Sequence, residues 1–378
     1  MKSFAVIGVG RMGARHAVNL ARGRVSGARL ACVCDISDKA REKIAKKIPN
    51  VKAYPDYKSM AGAEKLDAVV IATPHYSHVE IAKFFLGKGV AVLTEKPVSV
   101  SVEYAQELNE AAKRSGALFG IMYNQRTNPV YARVREIVQS GGIGKLRRAN
   151  ITVTDWYRSQ FYYDMGGWRA SWSGEGGGTL INQCVHQLDV MQWILGMPEK
   201  VFARCRTVNR KIDTENDVSA NLFFEDFTAV FTASAHEVPG VNMMEIAGDK
   251  GLIRAGKFKA DIYILEKDEA QINSLSRRDY GNKEDKKYKK HTVRYGLFRL
   301  IRDGLLGQQR NILEDFSRRL SEGGKLLAPG EEGINALMLI NAVYMSNWTG
   351  KIVDLPLDGK QYTAMLKEHA DAEKEKGR

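Results

Sequence analysis

A glycine pattern near the start of the chain restricts its fold more than any other feature. Residues 4–13 read Phe-Ala-Val-Ile-Gly-Val-Gly-Arg-Met-Gly. The apolar run is short, rich in strand formers and ended by glycine, which predicts a buried strand over 4–9. Gly8 permits a tight turn, Gly10 lets the backbone approach a pyrophosphate, and Gly13 lets the next helix pack against the strand. That helix starts near Arg11, so Arg11, Met12 and Gly13 turn free N–H groups and a positive dipole end toward an anion. Asp35 lies 22 residues beyond Gly13, at the end of a second apolar run, where a carboxylate can accept ribose hydroxyls. Glycines alone fit any βα turn. Strand, helix and acid in this order make a dinucleotide pocket.

The acid bears on which dinucleotide binds. A carboxylate at Asp35 repels a 2′-phosphate, and Ile36 and Ser37 offer no arginine to offset it, so NAD is favoured over NADP. Lys39 and Arg41 lie close enough to temper that preference.

At 378 residues the chain exceeds one compact core and suits two domains. No apolar run approaches the roughly 20 residues that span a bilayer, and the apolar start lacks a cleavage pattern, so no membrane association is expected. Four cysteines do not suggest a disulfide scaffold, and no Cys/His spacing resembles a metal site. A cytoplasmic location follows. The net charge of +13 is concentrated in 277–302, with ten Lys/Arg against three Asp/Glu. No nucleic-acid module is legible there, so a solvated loop and helix face is the preferred reading and no nucleic-acid partner is expected.

Through the first third, strand-like runs at 4–9, 28–35, 68–72, 90–94 and 117–122 alternate with helical stretches at 11–22, 39–47, 78–86 and 102–114. That alternation implies parallel βαβ units in a doubly wound α/β sheet. Ligands bind beyond the carboxyl ends of such strands, so Thr73-Pro74-His75 and Glu95-Lys96-Pro97 should face the cofactor. From about 124 the pattern changes. Runs at 148–156, 201–207, 218–224, 228–235 and 242–247 follow one another with short turns, which favours an antiparallel meander. Helices at 129–139 and 180–195 should cover one face, leaving a partner subunit to cover the other. Residues 268–300 read as a charged, irregular connection, 312–320 and 332–347 as amphipathic helices, and 354–356 as a closing extended segment. Two domains are expected, 1–123 for the dinucleotide and 124–378 for substrate and oligomerisation.

Lys96 precedes a proline, which keeps it out of the helical region and holds it extended. A lysine desolvated beside a nicotinamide has a lowered pKa and can exchange a proton with a hydroxyl. The second element is the glycine-rich run 176–178 feeding a helix. On a continuous helix Asn182, His186, Asp189 and Trp193 share a narrow face of about 60°. A histidine grouped with an amide, a carboxylate and an indole is more often a site than a structural residue. The preceding segment, from Trp156, Tyr157 and Arg158 through Tyr163 to Trp168 and Arg169, is dense in aromatics and donors that suit a pyranose.

Taken together, Gly8-x-Gly10-x-x-Gly13, Ala72-Thr73-Pro74 with His78, Glu95-Lys96-Pro97, the glycine run with His186-x-x-Asp189, and the closing Thr349-Gly350-Lys351 resemble the glucose–fructose oxidoreductase, inositol dehydrogenase and rhizopine-catabolism (Gfo/Idh/MocA) family. The resemblance implies an N-terminal Rossmann domain, a C-terminal α+β domain with a large, mostly antiparallel sheet, and homodimers or homotetramers. It implies NAD(P)-dependent oxidoreduction of a hydroxyl or ketone on a sugar or polyol. By it, Lys96 and His186 form the proton-transfer pair, and Asn124, Trp168 and Arg169 meet the cofactor. Many relatives carry aspartate where this chain has Asn182, and an amide cannot raise a neighbouring pKa as a carboxylate does. Substrate contacts are expected from Lys96, Tyr157, Arg158, Tyr163, Asn182 and His186, with Asp189 orienting the imidazole. Two rivals are an NAD-dependent glycoside hydrolase and a non-catalytic dinucleotide sensor. The presence of Lys96 and His186 argues against the sensor.

Overall fold

The strands β1 (Lys2–Ile7), β2 (Ala28–Cys34), β3 (Lys52–Tyr54), β4 (Ala68–Ile71), β5 (Ala91–Thr94) and β6 (Phe119–Ile121) form one parallel sheet. Its order is β3-β2-β1-β4-β5-β6. The structure, a computed structural model, describes residues 1–375. Phe4, Ala5, Val6, Val69 and Val70 are fully buried, because helices cover both faces of a parallel sheet. The strand order reverses between β1 and β4, which opens a crevice at their carboxyl ends. Four helices fall within a residue or two of the expected spans, at Arg11–Ala21, Asp38–Lys47, His78–Leu86 and Val102–Ser115.

Two elements here have no signature in the apolar pattern. β3 is a three-residue edge strand with no buried side chain, so it shows no alternation. The helix Tyr57–Ala63 is held by its cap, Asp56, whose carboxylate accepts from the N–H groups of Lys58 and Ser59.

The second sheet has nine strands: β7 (Leu146–Val153), β8 (Lys200–Arg206), β9 (Asp217–Phe223), β10 (Thr228–Ser234), β11 (Asn242–Gly248), β12 (Gly251–Gly256), β13 (Lys259–Leu265), β14 (Tyr288–Arg294) and β15 (Val353–Asp354). They run β14-β13-β12-β11-β7-β10-β9-β8-β15. The sheet is two antiparallel meanders joined through β7, which pairs antiparallel with β11 but parallel with β10. A single meander is therefore corrected to a mixed, mostly antiparallel sheet. The helices Pro129–Gln139, Val185–Leu195 and Gly333–Thr349 pack together, and Gly333–Thr349 lies on β8. The opposite face is open, with Phe202, Val230 and Met243 all more than a third exposed.

The expected irregular connection over 268–300 is also corrected. It contains a helix Glu269–Leu275 and the edge strand β14, and leads into a helix Leu297–Leu306. Nearly every side chain of β14 is exposed, so no apolar period marks it. A boundary at 123/124 separates the two sheets but not the layers. The late helix Gln309–Glu322 returns beneath the first sheet, where Phe316 meets Phe4 with ring centroids 6.2 Å apart. The last helix, Gly359–Glu375, packs on Val102–Ser115.

Candidate active site

The glycine turn has the shape a pyrophosphate requires. A Cβ on Gly13 would lie 1.7 Å from the carbonyl oxygen of Gly8, so only glycine lets helix and strand meet this closely. A Cβ on Gly10 would meet no atom within 4 Å, which leaves room for a ligand against the backbone. No side chain caps the helix at Gly10, and the N–H groups of Arg11, Met12 and Gly13 lie in its first turn. Asp35 is already oriented, its carboxylate accepting from Val9 N at 2.8 Å and Ser37 N at 2.9 Å, with lone pairs remaining for hydroxyls. Arg41 is tied to the carbonyl of Asp35 at 2.6 Å and to the carboxylate of Asp38, so it is not free to greet a 2′-phosphate. These residues fit NAD.

The loops after β4 and β5 meet over the crevice. His75 is hydrogen-bonded through Nδ1 to the carbonyl of Glu175 at 2.8 Å. Ser77 donates to the Thr73 hydroxyl and to the Pro74 carbonyl. His78 is fully buried between the carbonyls of Pro97, 2.8 Å from Nδ1, and Thr73, 2.9 Å from Nε2, and the neutral ring that burial favours donates its one N–H to one of them. Its ring lies between the loops after β4 and β5 and ties one to the other. Glu95 is buried under the crevice and bonded to His16 at 2.8 Å, a partner with no signal in the sequence. Burial alone would raise the Glu95 carboxyl, yet the His16 bond and the neighbouring Lys96 charge hold it below its ordinary value.

Lys96 Nζ donates to the carbonyl oxygen of Asn182 at 2.8 Å and to its side-chain Oδ1 at 3.2 Å. Burial lowers the Lys96 pKa, with Glu95 and Glu175 pulling it back up. An amine so placed can reach its neutral form more easily than a solvated lysine.

The expected helix 180–195 is broken. It divides into Thr179–Asn182 and Val185–Leu195, and the N–H of Cys184 bonds five residues back to Thr179. That widened turn changes the angle of Asn182 relative to the helix that follows, in which His186, Asp189 and Trp193 keep their common face. Asn182 meets Lys96, whereas Asp189 is fully buried and grips Arg126 at 2.7 Å. Asp189 therefore does not orient the imidazole: its carboxylate is bonded to Arg126 and Gln192, and His186 Nδ1 has no partner. Trp193 stacks beneath the guanidinium of Arg135, 4.7 Å from the ring centroid. Burial and the Lys96 charge push His186 down to about 3, so near neutrality it is an uncharged imidazole that can bond a hydroxyl but does not store a proton.

One residue of this cluster escaped the sequence reading. Glu175 is buried, accepts from Ala170 N at 2.6 Å and receives the side-chain amide of Asn182. Its only mark in the sequence is its place immediately before the three glycines. Gly177 is needed there because a Cβ would lie 2.3 Å from the Tyr344 hydroxyl. Glu215 fixes the far end of the loop by accepting from Gly178 N at 3.0 Å and Leu180 N at 2.7 Å.

The aromatic segment forms a stack along the loop. Arg158 lies 5.4 Å from the Trp156 ring and 4.8 Å from that of Tyr162; Arg169 lies 4.7 Å from Tyr162 and 4.9 Å from Trp168. Trp168 meets His75 edge-on at 5.6 Å. Tyr157 is exposed at the outer end, whereas Tyr163 is buried behind the stack. Asn124 is buried after β6, its Nδ2 bonded to Gln308 at 3.1 Å and its Oδ1 without a partner. A separate cavity of about 930 Å³ lies behind Arg126, bordered by Ser26 and Gly27. Arg133, Arg310 and Arg318 around it are paired with Glu136, Glu314 and Asp315, so its charge is matched from within. Among the described residues no group of three His, Cys, Asp or Glu could hold a metal, and no helix is long and apolar enough to cross a membrane.

Comparison with known proteins agrees with this geometry. Residues 2–123 match the profile of an oxidoreductase family with an NAD-binding Rossmann fold, and residues 131–254 match a GFO/IDH/MocA C-terminal domain. Among curated proteins, the scyllo-inositol 2-dehydrogenase (NAD(+)) of Bacillus subtilis is 30% identical over 192 residues, 51% of this chain and 53% of that protein. The myo-inositol 2-dehydrogenase of Thermotoga maritima is 25% identical over 345 residues, 89% of this chain and 93% of that one. The chain thus spans about half the length of the first of these relatives and nearly all of the second. In fold it is similar to the WlbA dehydrogenase from Bordetella pertussis, solved with NADH and UDP-GlcNAcA, at a TM-score of 0.80 and 23% identity, covering 94% of this chain and 98% of that one. It is similar also to levoglucosan dehydrogenase, solved with NADH and levoglucosan, at a TM-score of 0.77 and 20% identity, covering 94% and 99%.

Proposed function

The chain belongs to the GFO/IDH/MocA oxidoreductase family, and on that premise we propose that it is an NAD-dependent dehydrogenase acting on a secondary hydroxyl of a sugar, sugar derivative or cyclitol. The observation that carries this reading is Lys96, an amine of lowered pKa at the end of β5, where the crevice opens. Bound NAD supplies the hydride acceptor. Lys96 Nζ accepts the hydroxyl proton as the carbinol C–H bond gives up its hydride, and in the reverse direction it returns that proton to the carbonyl oxygen. Neutral His186 holds the same oxygen by a hydrogen bond. Asn182 holds the amine through two acceptors, and the stack of Trp168, Arg169, Tyr162 and Arg158 forms a wall suited to the C–H faces and hydroxyls of a ring. The inositol and levoglucosan dehydrogenases among its relatives support that substrate class.

Four free cysteines suit a cytoplasmic setting. The open face of the nine-stranded sheet, with Phe202, Val230 and Met243 exposed, suits a homodimer or homotetramer. Screening sugars and cyclitols for NAD reduction tests the activity directly. Absence of turnover across the panel in both directions would overturn it. Light scattering tests the assembly, and a mass near 42.2 kDa at micromolar concentration would rule out the oligomer.

A further inference from the structure

The reactive lysine has no carboxylate facing it at Asn182, yet one lies a single amide away. Asn182 presents Oδ1 to Lys96 Nζ at 3.2 Å and turns its Nδ2 onto Glu175 Oε1. The other oxygen of Glu175 accepts from Ala170 N at 2.6 Å, and its backbone carbonyl is bonded to His75. The carboxylate is therefore held at both oxygens and the residue's backbone at its carbonyl. An acceptor-only group at Glu175 permits one orientation of the Asn182 amide, NH₂ toward Glu175 and oxygen toward Lys96. Reversing the amide would set oxygen against carboxylate and NH₂ against the amine.

We infer that Glu175 is the positioning residue of this site: acting through Asn182, it aims an acceptor at Lys96 and supplies the negative charge that Asn182 itself lacks. This rests on the dehydrogenase reading for its consequence in turnover, but not for its effect on Lys96. The groups facing Lys96 are Glu95 from its own loop, Glu175 and Arg169 from the glycine loop and the segment before it, Cys184 and His186 from the broken helix, and His75 and His78 from the loop after β4. Glu95 and Glu175 are the two carboxylates among them. Glu95 is bonded to His16 and pulls more strongly on Lys96, and Glu175 is the second charge, reached through the Asn182 amide. Burial pushes the Glu175 carboxyl up to about 7, so above that pH it carries the charge that acts on Lys96.

The test uses Glu175→Gln, Asn182→Asp and the double variant, with NADH fluorescence as the check on folding. Competitive acylation of Lys96 by acetic anhydride, read by peptide mass spectrometry across pH, reports the amine with or without turnover. Losing the Glu175 charge should lower the Lys96 midpoint by on the order of one pH unit and carry the acid limb of oxidation with it. Asn182→Asp alone sets two carboxylates against each other, so turnover should fall. In the Glu175→Gln background the same change should return the midpoint and recover activity, a reversal of sign that packing alone does not produce. If Glu175→Gln does not bind NADH, Asn182→Ala breaks the same link and should show the lowered midpoint. A Lys96 midpoint unmoved in every folded variant, or a double variant worse than both singles, overturns the inference. A wild-type protein inactive on every substrate but showing the acylation shift would leave Glu175 as assigned and discard the dehydrogenase reading instead.

Discussion

The turn from Gly8 to Gly13 and the cluster around Lys96 lie at one crevice but are held by different forces. The turn works through backbone: Gly13 against Gly8, bare first-turn N–H groups, and Asp35 locked by Val9 and Ser37. Its parts are close in sequence. The cluster works through side chains brought from far along the chain. Lys96 reaches across 86 positions to Asn182, and Arg126 across 63 to Asp189. Its groups are buried, and burial moves Lys96, His186 and Glu175 away from their ordinary pKa values. Binding and proton transfer should therefore be separable by mutation and by pH.

The largest separation should come from Lys96→Ala. Turnover should fall by a factor on the order of 10² to 10⁴, while NADH titration by fluorescence stays near the wild-type value. A loss of binding as large as the loss of turnover would show the two regions to be one unit.

Asp189 sharpens the boundary from the other side. Its carboxylate and the Arg126 guanidinium are both fully buried, so Asp189→Ala removes one of the two carboxylates, Asp189 and Glu332, that pair this arginine. Chemical denaturation should show a loss of about 1.5–3 kcal/mol, with the pH–rate profile in place at temperatures where the variant is folded. A shifted profile at unchanged stability would return Asp189 to the chemistry.

The smallest effect concerns the turn alone. Asp35→Ser removes the repulsion toward a 2′-phosphate, so the preference for NADH over NADPH should narrow by about tenfold, with turnover on the best substrate otherwise little changed. Equal binding of both cofactors by the wild type would break the comparison at its source, since Arg41 would then have to leave Asp38.

The first sheet was legible because its strands are buried on both faces and its helices alternate with them. Asp35 and Lys96 were legible because each follows directly from a strand end. Elements with no buried face, β3 and β14, left no period to read. Asp189 and Trp193 share the face of His186, as their spacing implies, but each turns to an arginine from elsewhere in the chain. The bond from Cys184 back to Thr179 is a local widening that sequence periodicity does not record, and it sets the angle of Asn182 alone. His16 and Glu175 carried no pattern at all, since a buried polar pair is defined by its partner and not by its neighbours in sequence.

By itself, then, the sequence determined the dinucleotide turn, the parallel sheet behind it, the lysine at its edge and the change of pattern near 124. Each of these depends on local geometry or on burial that repeats along the chain. Only the tertiary structure decided that Asn182 faces Lys96 with Glu175 behind it, that Asp189 belongs to Arg126, and that His78 clamps two loops. The reason is physical: a buried charge or amide is satisfied by whichever partner the packed chain brings within 3 Å or so, and that choice is made across the fold.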